Sequence, residues 1–80
     1  MARVIFAGGM RAFTGGDESI ELDAARVADL IAALYARYPA LAGRLDGVAV
    51  AIDGTLYGDA RYQPLRPASE VHFVGPIAGG

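Results

Sequence analysis

One amphipathic stripe in the middle of the chain constrains the fold more than any other feature. Apolar residues recur at i, i+3, i+4, i+7, i+8 and i+11, one face of a helix with a period of about 3.6 residues; they are Val27, Leu30, Ile31, Leu34, Tyr35 and Tyr38. Asp23 is a candidate N-cap, and Pro39 disfavours helical geometry at Tyr38, so we expect the helix to end there. With 80 residues the chain makes one domain, in which this helix must bury its stripe.

Two segments before the helix have the pattern of β-strands. Arg3 to Ala7 is β-branched and aromatic, and "ESIELD" alternates apolar and polar residues. Gly15-Gly16-Asp17 is a turn signal between them. The pattern predicts an N-terminal hairpin.

Three further strands are predicted after the helix. "VAVAI" (Val48 to Ile52) is apolar on both faces, as an interior strand is, and Asp53-Gly54 is a turn dipeptide that leads to a brief return strand at Leu56 and Tyr57. "EVHFV" is the last strand, with Val71 and Phe73 on one face and Glu70, His72 and Val74 on the other.

Two connecting segments are expected to complete the core. "ALAGRL" follows Pro39 and is predicted to form one further turn, with Leu41 and Leu45 covering the bottom of the core. The segment "GDARYQPLRPAS" reads as a loop, in which Leu65 is the expected core residue.

The order strand, strand, helix, strand, short strand, strand predicts an α+β domain. One main helix would lie across one face of a mixed sheet of about four to five strands and leave the other face open. This is the outline of a β-grasp, or ubiquitin-like, fold over residues 1–80, with 75–80 as a flexible tail.

Composition excludes several classes of function. The net charge is −2, with seven arginines, no lysine and nine acidic residues, so no basic stripe for nucleic acid is expected. No apolar run approaches the ~20 residues that cross a membrane, and the N-terminus lacks a signal-peptide layout. The sequence has no cysteine, hence no disulfide and no thiolate nucleophile, and we expect a cytoplasmic protein.

The residues offer no constellation for catalysis or metal binding. His72 is the one histidine and has no cysteine partner, whereas a general base needs a pocket and an orienting group. The acidic residues lack the spacing of a calcium loop or of a carboxylate dyad. Gly8-Gly9 and Gly15-Gly16 lack the following Lys-Ser or Lys-Thr of a phosphate loop and are predicted to be turn glycines. We therefore expect no enzyme activity, no metal and no bound cofactor.

The remaining candidate for chemistry is the final "PIAGG". Glycine has no side chain, so Gly79 and Gly80 can pass extended through a narrow channel, and no Cβ shields the terminal carbonyl. Pro76 keeps the stem extended. A carboxylate is inert until it is activated, for instance by adenylation with ATP, so the chain would act as a macromolecular substrate of partner enzymes.

The whole chain resembles the MoaD/ThiS family of ubiquitin-like sulfur carriers. "VIFAGGMRAFTGG", "VADLIAALYARYPALAGRL" and "VAIDGTLYGD" are similar to the opening strand, the helix and the central strand of that family. "PLRPASEVHFVGPIAGG" is similar to its closing segment. The length of the chain, its long helix followed by "PALAGRL", and Pro76 look like the small subunit of molybdopterin synthase.

The resemblance implies a specific chemistry. An E1-like adenylyltransferase would consume ATP to adenylate the carboxylate of Gly80, and a persulfide donor would convert it to a thiocarboxylate. The sulfur would then pass to the molybdopterin synthase large subunit or to another acceptor enzyme. Family members also serve thiamine synthesis and other thiolation pathways, and these alternatives stay open.

A docking strip is expected beside the tail, on the open face of the sheet. It comprises His72 and Val74 together with Pro76, Ile77 and Ala78. Two other classes of function remain: a protein modifier joined through Gly80 to a lysine of a target, and a noncovalent β-grasp interaction module.

Overall fold

The computed structural model describes residues 1–75 and confirms the predicted α+β architecture. Five strands and one main helix follow one another in this part of the chain, together with two short helical turns. The elements are β1 (Ala2–Ile5), α1 (Gly8–Arg11), β2 (Ser19–Leu22), α2 (Val27–Arg37), a 3₁₀ turn (Pro39–Leu41), β3 (Ala49–Ile52), β4 (Thr55–Tyr57) and β5 (Glu70–Val74).

The sheet is mixed and has the strand order β2-β1-β5-β3-β4. β1 pairs antiparallel with β2, which confirms the predicted hairpin, and parallel with β5. β3 pairs antiparallel with both β5 and β4. The first and last strands thus lie side by side in the middle of a β-grasp sheet.

The core lies between α2 and one face of this sheet. Leu30 and Leu34 of the helix pack with Val4, Val50 and Val71 of the three inner strands, and all five side chains are almost fully buried. The predicted Leu41 and Leu45 are also fully buried, and Leu65 packs against the core while half-buried. The opposite face of the sheet is left without a covering element among residues 1–75.

The connection between β1 and β2 differs from the prediction. Gly8 and Gly9 do not form a turn but begin the short helix α1, and strand β1 ends at Ile5 rather than at Ala7. Met10 is fully buried, and its packing outweighs the low helix propensity of glycine. Gly15 and Gly16 do form a turn, with φ of 67° and 90°.

The start of α2 also differs from the prediction. Asp23 is not its N-cap; Arg26 holds that position without a side-chain cap. Main-chain carbonyls of the 58–69 loop accept the first helical N–H groups instead, with Val27 N 3.1 Å from Gln63 O and Ala28 N 2.9 Å from Arg61 O. At the other end, Tyr38 has φ −127° and ψ 84°, so the helix ends as predicted before Pro39.

The turn between β3 and β4 is a two-residue connection at Asp53-Gly54. The φ angles of Asp53 and Gly54 are 49° and 88°, the positive values of a type I′ hairpin turn. The Asp53 carboxylate also accepts the N–H of Glu70 at 2.8 Å. The turn therefore fixes the register of β4 and caps the start of β5.

Candidate functional site

The open face of the sheet carries the described part of the predicted docking strip. Along β5, Val71 and Phe73 are buried in the core, whereas His72 and Val74 project from the opposite face. Val74, the last residue of β5, is 44% exposed and is one of the exposed large apolar side chains among residues 1–75. Its position near the end of β5 places it next to the point where residues 76–80 begin.

Strand register extends this strip into an apolar patch. Residues paired across neighbouring strands share a face of the sheet. His72 pairs with Ile5 of β1 and Ala51 of β3, Ala51 pairs with Leu56 of β4, and Val74 pairs with Ala49. We call these six residues the open-face patch: Ile5, Ala49, Ala51, Leu56, His72 and Val74.

The sequence prediction missed most of this patch. Leu56, with 61% of its surface exposed, was predicted only as a strand residue. The signal that could have found it is the Asp53-Gly54 turn, because a two-residue hairpin loop pairs Ile52 with Thr55 and therefore Ala51 with Leu56.

Charge is unevenly distributed over the open face. Arg3 pairs with Glu21 on one side and Glu70 on the other, which forms a charged row at the start of β5. The Nε2 atom of His72 lies 3.1 Å from Glu70 Oε1. The row containing Val74 and Ala49 is apolar, so the face becomes less polar toward the end from which the tail leaves.

Gly75, the residue that follows β5, has a backbone conformation that few residues adopt. Its φ of 122° lies in a region that L residues rarely adopt and that proline, with φ fixed near about −65°, cannot reach. The backbone conformation at position 75 therefore explains why a glycine, rather than a proline or another L residue, occurs there.

A shallow cleft of about 340 Å³ lies beside Val74 and Gly75. Its other wall is the segment 43–49, including Asp46, Gly47 and Val48. This wall is held to the helix by Tyr35, which donates its hydroxyl hydrogen to Asp46 Oδ1 at 2.8 Å and accepts the N–H of Leu45 at 3.0 Å. Partial burial, and secondarily the bond to Asp46, raise the pKa of Tyr35 above its usual value.

The structure brings His72 and Val74 together on one face, as the strand alternation predicted. The predicted site residues Pro76, Ile77, Ala78, Gly79 and Gly80 lie outside the described residues. Within residues 1–75, no cluster of three or more acidic or histidine side chains is arranged to hold a metal ion. No helix in that range is long and apolar enough to span a bilayer.

Solved structures similar to this chain share its whole fold. The CysO chain of a BexX/CysO complex from Amycolatopsis orientalis superimposes with a TM-score of 0.84 at 19% identity, with 100% of both chains covered. SAMP1 from Haloferax volcanii gives 0.79 at 21% identity, covering 99% of this chain and 98% of that one. A putative molybdopterin converting factor, subunit 1, from Pyrococcus furiosus gives 0.71 at 24% identity, with 95% and 97% covered.

A fourth structure is more similar in sequence. The HVO 2177 protein of Haloferax volcanii is 31% identical, has a TM-score of 0.74, and is matched over 99% of this chain and 85% of its own. No curated protein matches the chain significantly. The profile of the ThiS family matches residues 4–80, nearly the entire sequence. The chain therefore belongs to the ThiS family, and its fold is the ubiquitin-like β-grasp.

Proposed function

We propose that this protein is a sulfur carrier whose C-terminal carboxylate, on Gly80, is converted to a thiocarboxylate. The observation that carries the proposal is the family match, which continues to residue 80 and so includes Gly79 and Gly80. The folds shared with CysO, with SAMP1 and with a putative molybdopterin converting factor subunit support it.

The proposed chemistry takes place on the chain's own carboxylate. An oxygen of the Gly80 carboxylate attacks the α-phosphorus of ATP in an E1-like adenylyltransferase, and pyrophosphate leaves. The terminal sulfur of a persulfide then attacks the acyl carbon and displaces AMP. A thiol cleaves the remaining S–S bond and leaves the thiocarboxylate.

The folded domain supplies recognition rather than catalysis in this scheme. The open-face patch offers exposed apolar surface at Val74 and Leu56. Of these two residues, Val74 lies just before the reactive tail in the sequence. Exposed apolar surface next to a polar rim is typical of a protein interaction site. We propose that His72, Val74, Pro76, Ile77 and Ala78 contact the partner enzymes while Gly79 and Gly80 reach the active site.

The acceptor that we favour is the molybdopterin synthase large subunit, in molybdenum cofactor biosynthesis. The long α2 helix followed by "PALAGRL", and the similarity to a putative molybdopterin converting factor subunit, support this choice. Because the activation consumes ATP, we place the reaction in the cytoplasm. Thiamine synthesis or another thiolation pathway is the alternative route for the same sulfur.

Release of pyrophosphate from ATP tests the activation step. With an E1-like enzyme from the same source, we expect release to depend on this protein and to stop when Gly79 and Gly80 are deleted. Unchanged release by the deletion variant would contradict the proposal. A protein modifier would instead give high-mass conjugates that include Gly80, and a noncovalent module would keep its partner binding after the deletion.

A further inference from the structure

Besides the cleft at Val74 and Gly75, a groove lies on the helix side of the sheet, away from the open-face patch. We call it the helix-side groove. It has a volume of about 610 Å³ and lies between α2, the segment 45–48 and the segment 58–61. Core residues such as Val27 and Val50 form its floor, and the half-buried Ile31 and Val48 form its walls. The groove is therefore apolar inside and open to solvent.

The charges at the rim of this groove are unbalanced. Arg61 and Asp59 pair with each other, with Nε 3.4 Å from Oδ1. Asp46 is hydrogen-bonded by Tyr35, a neutral donor, and it takes part in no ion pair among residues 1–75. The rim thus carries one carboxylate, that of Asp46, that forms no ion pair with another of the described residues 1–75.

This groove is continuous with the surface at the base of the tail. Asp46, Gly47 and Val48 line both the 610 Å³ groove and the 340 Å³ cleft. The cleft in turn is bordered by Val74 and Gly75. The segment 46–48 therefore connects the helix-side groove to the cleft that reaches Gly75.

We propose that the adenylating enzyme occupies this groove with a segment that carries an aliphatic side chain next to a lysine or arginine. The aliphatic side chain packs on Ile31 and Val48, and the cation pairs with Asp46. This inference rests on the proposed sulfur-carrier function and adds to it a second contact, behind the tail. Residues 76–80 span at most about 17 Å. Contacts at both the open-face patch and this groove fix the position of Gly75, so Gly80 lies within about that distance of a fixed point.

Two variants test the groove without disturbing the core. Asp46→Asn keeps an oxygen that can accept from Tyr35 and removes the charge. Ala28→Gln places a longer, neutral side chain at an exposed helical position that lines the groove. Ala36→Gln is the matched control, because Ala36 is also exposed on α2 and lines neither the helix-side groove nor the cleft.

The measurement is the steady-state release of pyrophosphate by the adenylating enzyme as a function of carrier concentration, with ATP and a persulfide donor present so that the acyl adenylate is consumed and the enzyme turns over. We expect Asp46→Asn and Ala28→Gln each to raise KM for the carrier by about fivefold, with kcat unchanged. Ala36→Gln should leave both constants as in the wild type. KM of Asp46→Asn should also depend less on salt concentration, which loss of packing alone would not cause.

Two kinds of failure are distinguishable. If the wild-type protein supports pyrophosphate release and both groove variants keep its KM, the groove proposal is wrong and the carrier function stands. The adenylating enzyme is first shown to be active on a carrier that it is known to adenylate. If the wild-type protein then supports no release of pyrophosphate with that enzyme, both the proposed function and the groove proposal are wrong.

Discussion

The hydroxyl of Tyr35 donates to Asp46 Oδ1 at 2.8 Å and accepts the N–H of Leu45 at 3.0 Å. These two bonds connect helix α2 to the segment that lines both the helix-side groove and the cleft at the base of the tail. The segment has no regular secondary structure of its own, so its position relative to the helix depends on this contact and on the buried Leu45.

Replacing Tyr35 by phenylalanine removes both bonds and little volume. We expect Tyr35→Phe to lower the free energy of unfolding by about 1–2 kcal/mol, because two hydrogen bonds are lost. Urea titration followed by circular dichroism measures the change. Tyr62→Phe is the control, since the Tyr62 side chain is 73% exposed; equal stability of both variants would contradict the structural role of Tyr35.

The stability of the protein should fall at high pH. The pKa of Tyr35 is raised in the folded state, by burial and by its bond to Asp46, above the value of 10.0 expected in the unfolded chain. The phenol then ionises first in the unfolded state, so the stabilisation is complete below pH 10.0 and is lost as the pH rises through the folded-state pKa. The pKa of Tyr38 is raised in the same way, by burial and by Asp17.

Urea titrations between neutral and strongly alkaline pH check this dependence. Tyr35→Phe should lose less stability than the wild type over the alkaline range. The loss that remains in this variant should be the one caused by ionisation of Tyr38. A steeper alkaline loss in Tyr35→Phe than in the wild type would show that the sign is wrong.

Asp53 combines two roles that different substitutions separate. Its backbone has a φ of 49° and its carboxylate accepts the N–H of Glu70 at 2.8 Å. Asp53→Ala loses the bond and adopts this conformation poorly, so we expect a loss of about 1–2 kcal/mol. Asp53→Asn keeps an acceptor and tolerates positive φ, so thermal unfolding should place it close to the wild type; two equally destabilised variants would argue against this explanation.

Val74→Asp tests the open-face patch. Val74 is exposed and outside the core, so we expect a folded protein by circular dichroism. A carboxylate buried without a partner in an interface is costly, so affinity for the adenylating enzyme, measured by calorimetry, should fall about tenfold or more. Ala36→Asp provides the same charge change on α2; loss of fold in Val74→Asp, or equal affinities of the two variants, would refute the docking role.

Local patterns in the sequence were sufficient to predict the two faces of β5 and the buried side of α2. The alternation in β5 separates Val71 and Phe73 from His72 and Val74, and each side chain lies on the expected face. The stripe on α2 identified Val27, Leu30 and Leu34 as core. These features depend on periodicity, which residues close in sequence determine.

Contacts between distant residues could not be predicted in this way. The N-terminus of α2 is capped by carbonyls of Arg61 and Gln63, more than thirty positions away in the chain, so a search for a nearby capping side chain selected Asp23 wrongly. Helix α1 forms because Met10 is buried, although Gly8 and Gly9 favour a turn. The helix-side groove, likewise, exists only once the segments 45–48 and 58–61 meet α2.

Intact-protein mass spectrometry tests the central claim most directly. The protein is incubated with ATP, an E1-like enzyme from the same source and a persulfide sulfur donor, beside a variant that lacks Gly79 and Gly80. The account predicts a mass increase that corresponds to replacement of one oxygen by one sulfur, located at Gly80 and absent from the variant. No increase in the wild-type protein, with an enzyme that modifies its own carrier in the same experiment, would contradict the account.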